Sequence, residues 1–230
     1  MSTASLIAEL RSHAPVVAPS LLACDFAHLE AEIRRVEEAG ARILHLDVMD
    51  GHFVPNISIG VPIVEAVRRV TDLPLDVHLM ISDPARYAQR FRDAGADLIS
   101  FHIEAVPEPG ALLEEIRRSG AVAGLAINPP TDLGCLAGSL DLCDYVLIMS
   151  VMPGFGGQAF QPEVLEKVRR LRAETPELLL SIDGGLNRET VGRCAKAGID
   201  MFVIGSALFS QPDYARFIRE ITALATSFGG

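Results

Sequence analysis

Residues 45–49 read His-Leu-Asp-Val-Met, an apolar stretch interrupted by an imidazole and a carboxylate two positions apart. In a β-strand that spacing puts His45, Asp47 and Met49 on one face and leaves Leu44, Leu46 and Val48 on the other. The spacing returns in PLDVHLM, where Asp76, His78 and Met80 share a face, and a further aspartate, Asp183, ends the run LLLSID. Any one of these groups alone would read as a hydrogen-bonded polar residue of a core. Together His45, Asp47, His78 and Asp183 make a mixed nitrogen and oxygen donor set suited to Zn²⁺, Mn²⁺, Fe²⁺ or Co²⁺, and two buried carboxylates without a cation would be costly. The set predicts one divalent metal ion per chain. Asp76, one step deeper in its strand, is expected to orient a histidine rather than bind the ion. His102 and Glu104 have the same spacing but no partner of that type on the next two strands, so they are read as supporting or structural groups.

Met49, Met80 and Met149 all fall near strand ends. Flexible core filling accounts for them, but Met49 and Met80 also share faces with the metal-binding set and are expected to wall it off from water. A second chemistry is written in glycine. MPGFGGQAF and DGG follow the sixth and seventh of the strands and GSALF ends the eighth, MFVIGSAL, and glycine lets backbone N–H groups approach an anion closely. Gly154, Gly156, Gly157, Gly184, Gly185, Gly205 and Ser206 are therefore expected to form a phosphate cradle.

The elements that must position these groups are legible as a repeat. Eight β-rich apolar runs begin at residues 16, 42, 74, 97, 121, 145, 178 and 201, separated by segments such as FAHLEAEIRRVEEAG whose apolar residues recur at helical steps. Gly40, Gly95, Gly120 and Gly198 each stand where a helix would be capped just before a strand. Without any linker-like break, the alternation predicts an α/β fold: a single (β/α)8 TIM barrel with a closed parallel eight-stranded sheet, spanning residues 1–230 as one domain. An open doubly wound sheet is the weaker alternative. Residues 1–14 are expected to add a helix at the N-terminal end of the barrel. Active sites of such barrels lie at the C-terminal strand ends, where both motif groups fall.

Composition narrows the partners. The 230 residues carry a formal charge of −10 and only 20 Lys and Arg, which argues against a nucleic-acid partner. No apolar run approaches the roughly 20 residues of a membrane helix, and the N-terminus lacks the pattern of a targeting segment. Cys24, Cys135, Cys143 and Cys194 contain no C-x-x-C pair and read as buried small residues in a reduced compartment. A cytoplasmic location is expected.

APSLL, HLDVMDGHFVPNISIG, DVHLMI, FHIEA, MPGFGGQAF, IDGG and GSALF, in this order and at separate strand ends, resemble the ribulose-phosphate 3-epimerase family across nearly the whole chain. The resemblance implies a metal-dependent isomerase of carbohydrate metabolism in the pentose phosphate pathway or Calvin cycle, acting on D-ribulose 5-phosphate to give D-xylulose 5-phosphate through a cis-enediolate. By position it makes His45, Asp47, His78 and Asp183 the metal ligands and gives Asp47 and Asp183 the acid/base roles. Ser20 and His78 would contact substrate; Gly154, Phe155, Gly156, Gly157, Gly184, Gly185, Gly205 and Ser206 would hold its phosphate, with Met49, Met80 and Met149 lining the site. A homo-oligomer is implied as well. Inverting a carbon beside a carbonyl requires proton removal on one face and delivery on the other, which gives the two carboxylates a chemical reason.

There are departures from the family's pattern. Met152 stands where its asparagine precedes PGFGGQ, and this leaves a six-carbon substrate, as in a D-allulose 6-phosphate 3-epimerase, open. Other readings fit less well. Schiff-base chemistry needs a lysine at a strand end, and Lys167 and Lys196 both fall on expected outer helices. The D-x-K-x-x-D of related decarboxylases is replaced by residues 76–81, DVHLMI. A non-catalytic phosphosugar-binding barrel would explain the glycines but not the paired carboxylates.

Overall fold

The computed structural model describes residues 2–228, so Met1, Gly229 and Gly230 of the expected 1–230 domain lie outside the described residues. Eight parallel strands form one sheet: β1 (Val16–Pro19), β2 (Leu44–Met49), β3 (Leu75–Met80), β4 (Leu98–His102), β5 (Val122–Ile127), β6 (Tyr145–Met149), β7 (Leu179–Asp183) and β8 (Met201–Ile204). Each pairs with its sequence neighbour from β2 to β8, and β1 pairs with β8 from Val16↔Met201 to Pro19↔Ile204. The circle closes between β1 and β2 through a single parallel bridge, Ser20↔His45. This is a TIM barrel, with helices α2 (Leu29–Glu38), α3 (Val61–Val70), α4 (Pro84–Asp93), α5 (Gly110–Arg118), α6 (Val164–Glu174), α7 (Val191–Ala197), α8 (Ser206–Phe209) and α9 (Tyr214–Phe228) between and after the strands.

Strand alternation sorts the apolar residues into two shells. Leu44, Leu46, Val48, Val77, Ile99 and Ile148 face outward and pack against the helix stripes, such as Ile33 and Val36 of α2 and Val168 and Leu171 of α6. Leu98, Val122, Tyr145, Leu147, Leu179 and Met201 fill the interior. An N-terminal helix, α1 (Thr3–Ser12), places Leu6 and Leu10 in that interior cluster, at the end of the barrel opposite the motifs. The cap at Gly198 shows why glycine recurs before strands: its φ of 110° lies in the left-handed region, and its N–H donates to Ala195 and Cys194 carbonyls of α7.

Three expectations are corrected. The β5–β6 connection carries no α-helix but a four-residue 3₁₀ turn, Leu133–Leu136, because Pro129, Pro130, Gly134 and Gly138 break any longer helix. That turn buries Leu133 and Leu136 and leaves Cys135 exposed, whereas Cys24, Cys143 and Cys194 are buried. Residues 205–208 do not continue the eighth strand; β8 ends at Ile204, and Ser206 opens α8.

Candidate active site

His45 and Asp47 project inward from β2, His78 from β3 and Asp183 from the end of β7. One ligand-type atom from each lies within 4.8 Å of all the others, and the two histidines and Asp47 are buried. Three of these inward polar side chains, His45, Asp47 and His78, are tolerated because each has partners. Asp47 accepts from the Ser20 hydroxyl at 2.6 Å, and its other oxygen lies 3.2 Å from both His45 Nε2 and His78 Nδ1.

Hydrogen bonds on the far sides of both rings decide which nitrogen each presents. His45 Nδ1 is 2.7 Å from a carboxylate oxygen of Asp76, an acceptor, so Nδ1 carries the proton and Nε2 turns to the centre. His102 Nδ1 lies 3.2 Å from Glu104, again an acceptor, which leaves His102 Nε2 to accept from the His78 Nε2–H at 2.8 Å. His78 therefore presents Nδ1. Burial pushes the His78 pKa down to about 4, so this ring is neutral, with Nδ1 turned to the Asp47 carboxylate at 3.2 Å. Two ring nitrogens and two carboxylates turned to one point suit a cation. On His45 burial opposes charge, but Asp47 and Asp76 outweigh it and hold the pKa well above the ordinary imidazole value, so a proton on Nε2 can stand there in a cation's place.

The two carboxylates differ. Burial works against ionisation of Asp47, yet the charge and hydrogen bond of His45 prevail and keep it far below the usual range. Burial and then the Asp47 charge push Asp183 up. Among the described residues nothing donates a hydrogen bond to the Asp183 carboxylate. Its backbone carbonyl and that of Gly184 accept from Ser150 Oγ, at 2.9 and 2.6 Å, which braces the turn after β7.

A cavity of about 750 Å³ opens above these groups, large enough for a small phosphorylated molecule. Asp47 and Asp183 both line it; His45 and His78 stand behind Asp47 and do not. Ser20, Met49, Met80 and Met149 lie on its floor side, the methionines 4% exposed or less. Met49 and Met80 are register partners and pack with Val54. Gly154, Phe155, Gly156, Gly157, Gly184, Gly185, Gly205 and Ser206 line the cavity from the loops after β6, β7 and β8. None of the N–H groups of Gly184, Gly185, Gly205 and Ser206 donates to another backbone group in the described turns and loops. At Gly185 the φ is 63°, and a Cβ would sit 2.6 Å from the backbone nitrogen of Phe160, so only glycine fits.

Some contributors carry no sequence signal of their own. Asp50 accepts from the N–H groups of His52, Phe53 and Ser82, tying the loop after β2 to the loop after β3. Asn56 Nδ2 donates to the Gly154 carbonyl at 2.7 Å, joining the loops after β2 and β6, and Gln158 donates to the carbonyls of Met152 and Phe155. A hydrophilic loop residue betrays none of this before its partner is placed. Lys167 is not at the site: it donates to the carbonyls of Asn128 and Pro129.

Residues 16–209 match the Ribulose-phosphate 3 epimerase family. The chain belongs to that family. It is 49% identical to the ribulose-phosphate 3-epimerase of Bacillus subtilis over 210 residues, 89% of this chain and 97% of that one. The Synechocystis ribulose-phosphate 3-epimerase is 50% identical over 212 residues, 90% of this chain and 92% of that relative. As a member of the epimerase family the chain is an isomerase of carbohydrate metabolism, and a sugar phosphate suits its cavity. The epimerase fold is shared more widely. A 3-hexulose-6-phosphate synthase from Salmonella typhimurium superposes with a TM-score of 0.71 at 16% identity, covering 93% of this chain and 99% of that one. No helix among the described residues is long and apolar enough to cross a membrane.

Proposed function

We propose that this epimerase inverts C3 of D-ribulose 5-phosphate to give D-xylulose 5-phosphate, with Asp47 and Asp183 as the two proton-transferring groups. The observation that carries the reading is that these two carboxylates reach one cavity from strands separated by β1 and β8, with environments that push their pKa values in opposite directions. A pair so split supplies a base and an acid at once. One carboxylate removes the C3 proton of the bound ketose, leaving an enediolate; the other delivers a proton to the opposite face. Ser20 holds Asp47 by its hydroxyl, and Met49, Met80 and Met149 exclude water from the proton path.

His45 through Nε2, His78 through Nδ1, Asp47 and Asp183 would hold one divalent ion, Zn²⁺, Fe²⁺, Mn²⁺ or Co²⁺, and the tetrad of mixed donors fits such an ion. When bound it supplies a Lewis acid for the C2 carbonyl oxygen and the charge that develops there. The free N–H groups at Gly184, Gly185, Gly205 and Ser206 point to the phosphate end of the substrate. The loop from Gly154 through Phe155 and Gly156 to Gly157 covers that end, pinned by Asn56. All of this lies in one barrel, which acts as a single domain. The test is an epimerisation assay comparing D-ribulose 5-phosphate with a six-carbon ketose phosphate; turnover of the hexulose more than about tenfold faster would overturn the substrate assignment.

A further inference from the structure

Inside the barrel, the layer below the site is built from apolar side chains: Leu98, Val122, Leu179 and Met201. One member of that layer is a phenol. Tyr145, the first residue of β6, is fully buried, and its hydroxyl does not reach water but donates to Asp76 at 2.6 Å. The other oxygen of Asp76 takes the Nδ1–H of His45 at 2.7 Å. The ring has a prepared seat. Gly124 is its register partner on β5, and a Cβ there would lie 2.3 Å from Tyr145 Cε1. A leucine or phenylalanine would fill the same volume at no polar cost, so packing alone leaves the hydroxyl unexplained.

We propose that Tyr145 is a positioning residue, whose hydroxyl fixes the Asp76 carboxylate so that His45 holds its Nδ1–H and turns Nε2 to the metal-binding tetrad. This rests on the reading of that tetrad given above. The polarity of the chain runs one way. Burial, and then the charge of Asp76, keep the phenol protonated, so Tyr145 can only donate toward the carboxylate. With one oxygen held by Tyr145, Asp76 offers the imidazole a single oxygen in a fixed plane. Without the hydroxyl, the carboxylate is free to turn about its Cβ–Cγ bond, and the direction of Nε2 loosens with it. Partners of this kind behind a metal-ligating histidine are commonly worth about 10- to 100-fold in metal affinity.

The experiment is titration of the metal-free protein with Co²⁺, whose visible bands report the ligand geometry, in wild type, Tyr145→Phe, Asp76→Asn, the double variant and His45→Ala. Tyr145→Phe keeps the ring in its seat. It is expected to weaken Co²⁺ binding about 10-fold or more and to shift the visible bands, and the double variant is expected to bind no worse than Asp76→Asn alone, since both changes break one chain. Wild-type affinity and bands in Tyr145→Phe, with or without a lowered melting temperature, would overturn the proposal and leave a packing role. Additive losses in the double variant would also overturn it. The parent reading fails separately: if His45→Ala binds Co²⁺ as wild type does, the tetrad is not the metal site and the proposal falls with it.

Discussion

Asp183→Asn separates a two-carboxylate epimerisation from any one-base alternative. Asn keeps the shape of the side chain and one carbonyl oxygen but cannot accept a proton. The remaining base is untouched, because Asp47 keeps its own partners Ser20, His45 and His78. Loss of one positioned acid/base group costs about 10²- to 10⁴-fold in rate, equivalent to about 3 to 5 kcal/mol of barrel-held transition-state stabilisation. Inversion should therefore fall by at least that factor, while proton abstraction from the face that Asp47 serves survives. The assay is proton NMR in D₂O, started separately from D-ribulose 5-phosphate and D-xylulose 5-phosphate, with metal content measured on the same samples. The expected outcome is one-sided: one epimer exchanges its C3 hydrogen for deuterium without inverting, and the other stays protiated. Asp47→Asn should show the mirror pattern where it retains metal. Inversion at a near-normal rate in metal-loaded Asp183→Asn, with both epimers exchanging equally, would refute the reasoning.

Gly185→Ala should raise KM for the sugar phosphate about 10-fold or more, because the added methyl meets the Phe160 backbone and the left-handed conformation costs about 1 to 2 kcal/mol; Zn²⁺ affinity, measured by competition with a chromogenic chelator, should not change. His45→Ala combined with His78→Ala should abolish stoichiometric Zn²⁺ in elemental analysis, and wild-type Zn²⁺ affinity should weaken as pH falls, because the His45 pKa is raised and its proton must leave before a cation enters. Calorimetry in buffers of different ionisation enthalpy would show that proton. On Glu104 burial favours the neutral acid, but the bonds from His102 and the Asn128 N–H prevail and bring its pKa to about 2. Its contribution to stability is thus present above the unfolded carboxylate value and lost as pH falls toward 2. Glu104→Gln should lower the stability at pH 7 by about 1 to 2 kcal/mol after discounting its partial exposure, and thermal melts of the two proteins should converge as the pH falls through about 2.

What the sequence revealed follows from which interactions are periodic. Alternation on the strands separates His45 and Asp47 from Leu44 and Leu46 without any structure, and the same rule carries the His78 and Asp76 pair. The tetrad of possible metal donors is therefore legible once eight strands are assumed to close. The helix expected between β5 and β6 failed because a repeat with period near a full βα unit was carried over a segment whose prolines and glycines argue against it. Tyr145 was invisible for a different reason: a tyrosine in an apolar strand looks like core until Gly124 and Asp76, distant in sequence, are brought beside it. The ties made by Asp50, Asn56 and Ser150 are equally non-local. Residue type suggests what a side chain can bond; only the fold supplies the partner.

The single bridge that joins β1 to β2 bears on how the protein is made. As the chain leaves the ribosome, β1 emerges early, yet its ladder is with β8, which comes last of the strands. Three of the four donors, His45, Asp47 and His78, are exported together on the neighbouring pair β2 and β3, and must wait for Asp183 on β7. Even then Ser20, which carries both the bridge to His45 and the bond to Asp47, is anchored only when β8 arrives and takes up β1. The order is set by this topology: the barrel stays open at the seam beside these groups until β8, which ends at Ile204, has left the ribosome and can pair with β1. Released chains truncated after Asp200 hold all four donors and should still take up Zn²⁺ poorly, which metal titration of the truncated and full-length proteins side by side would show.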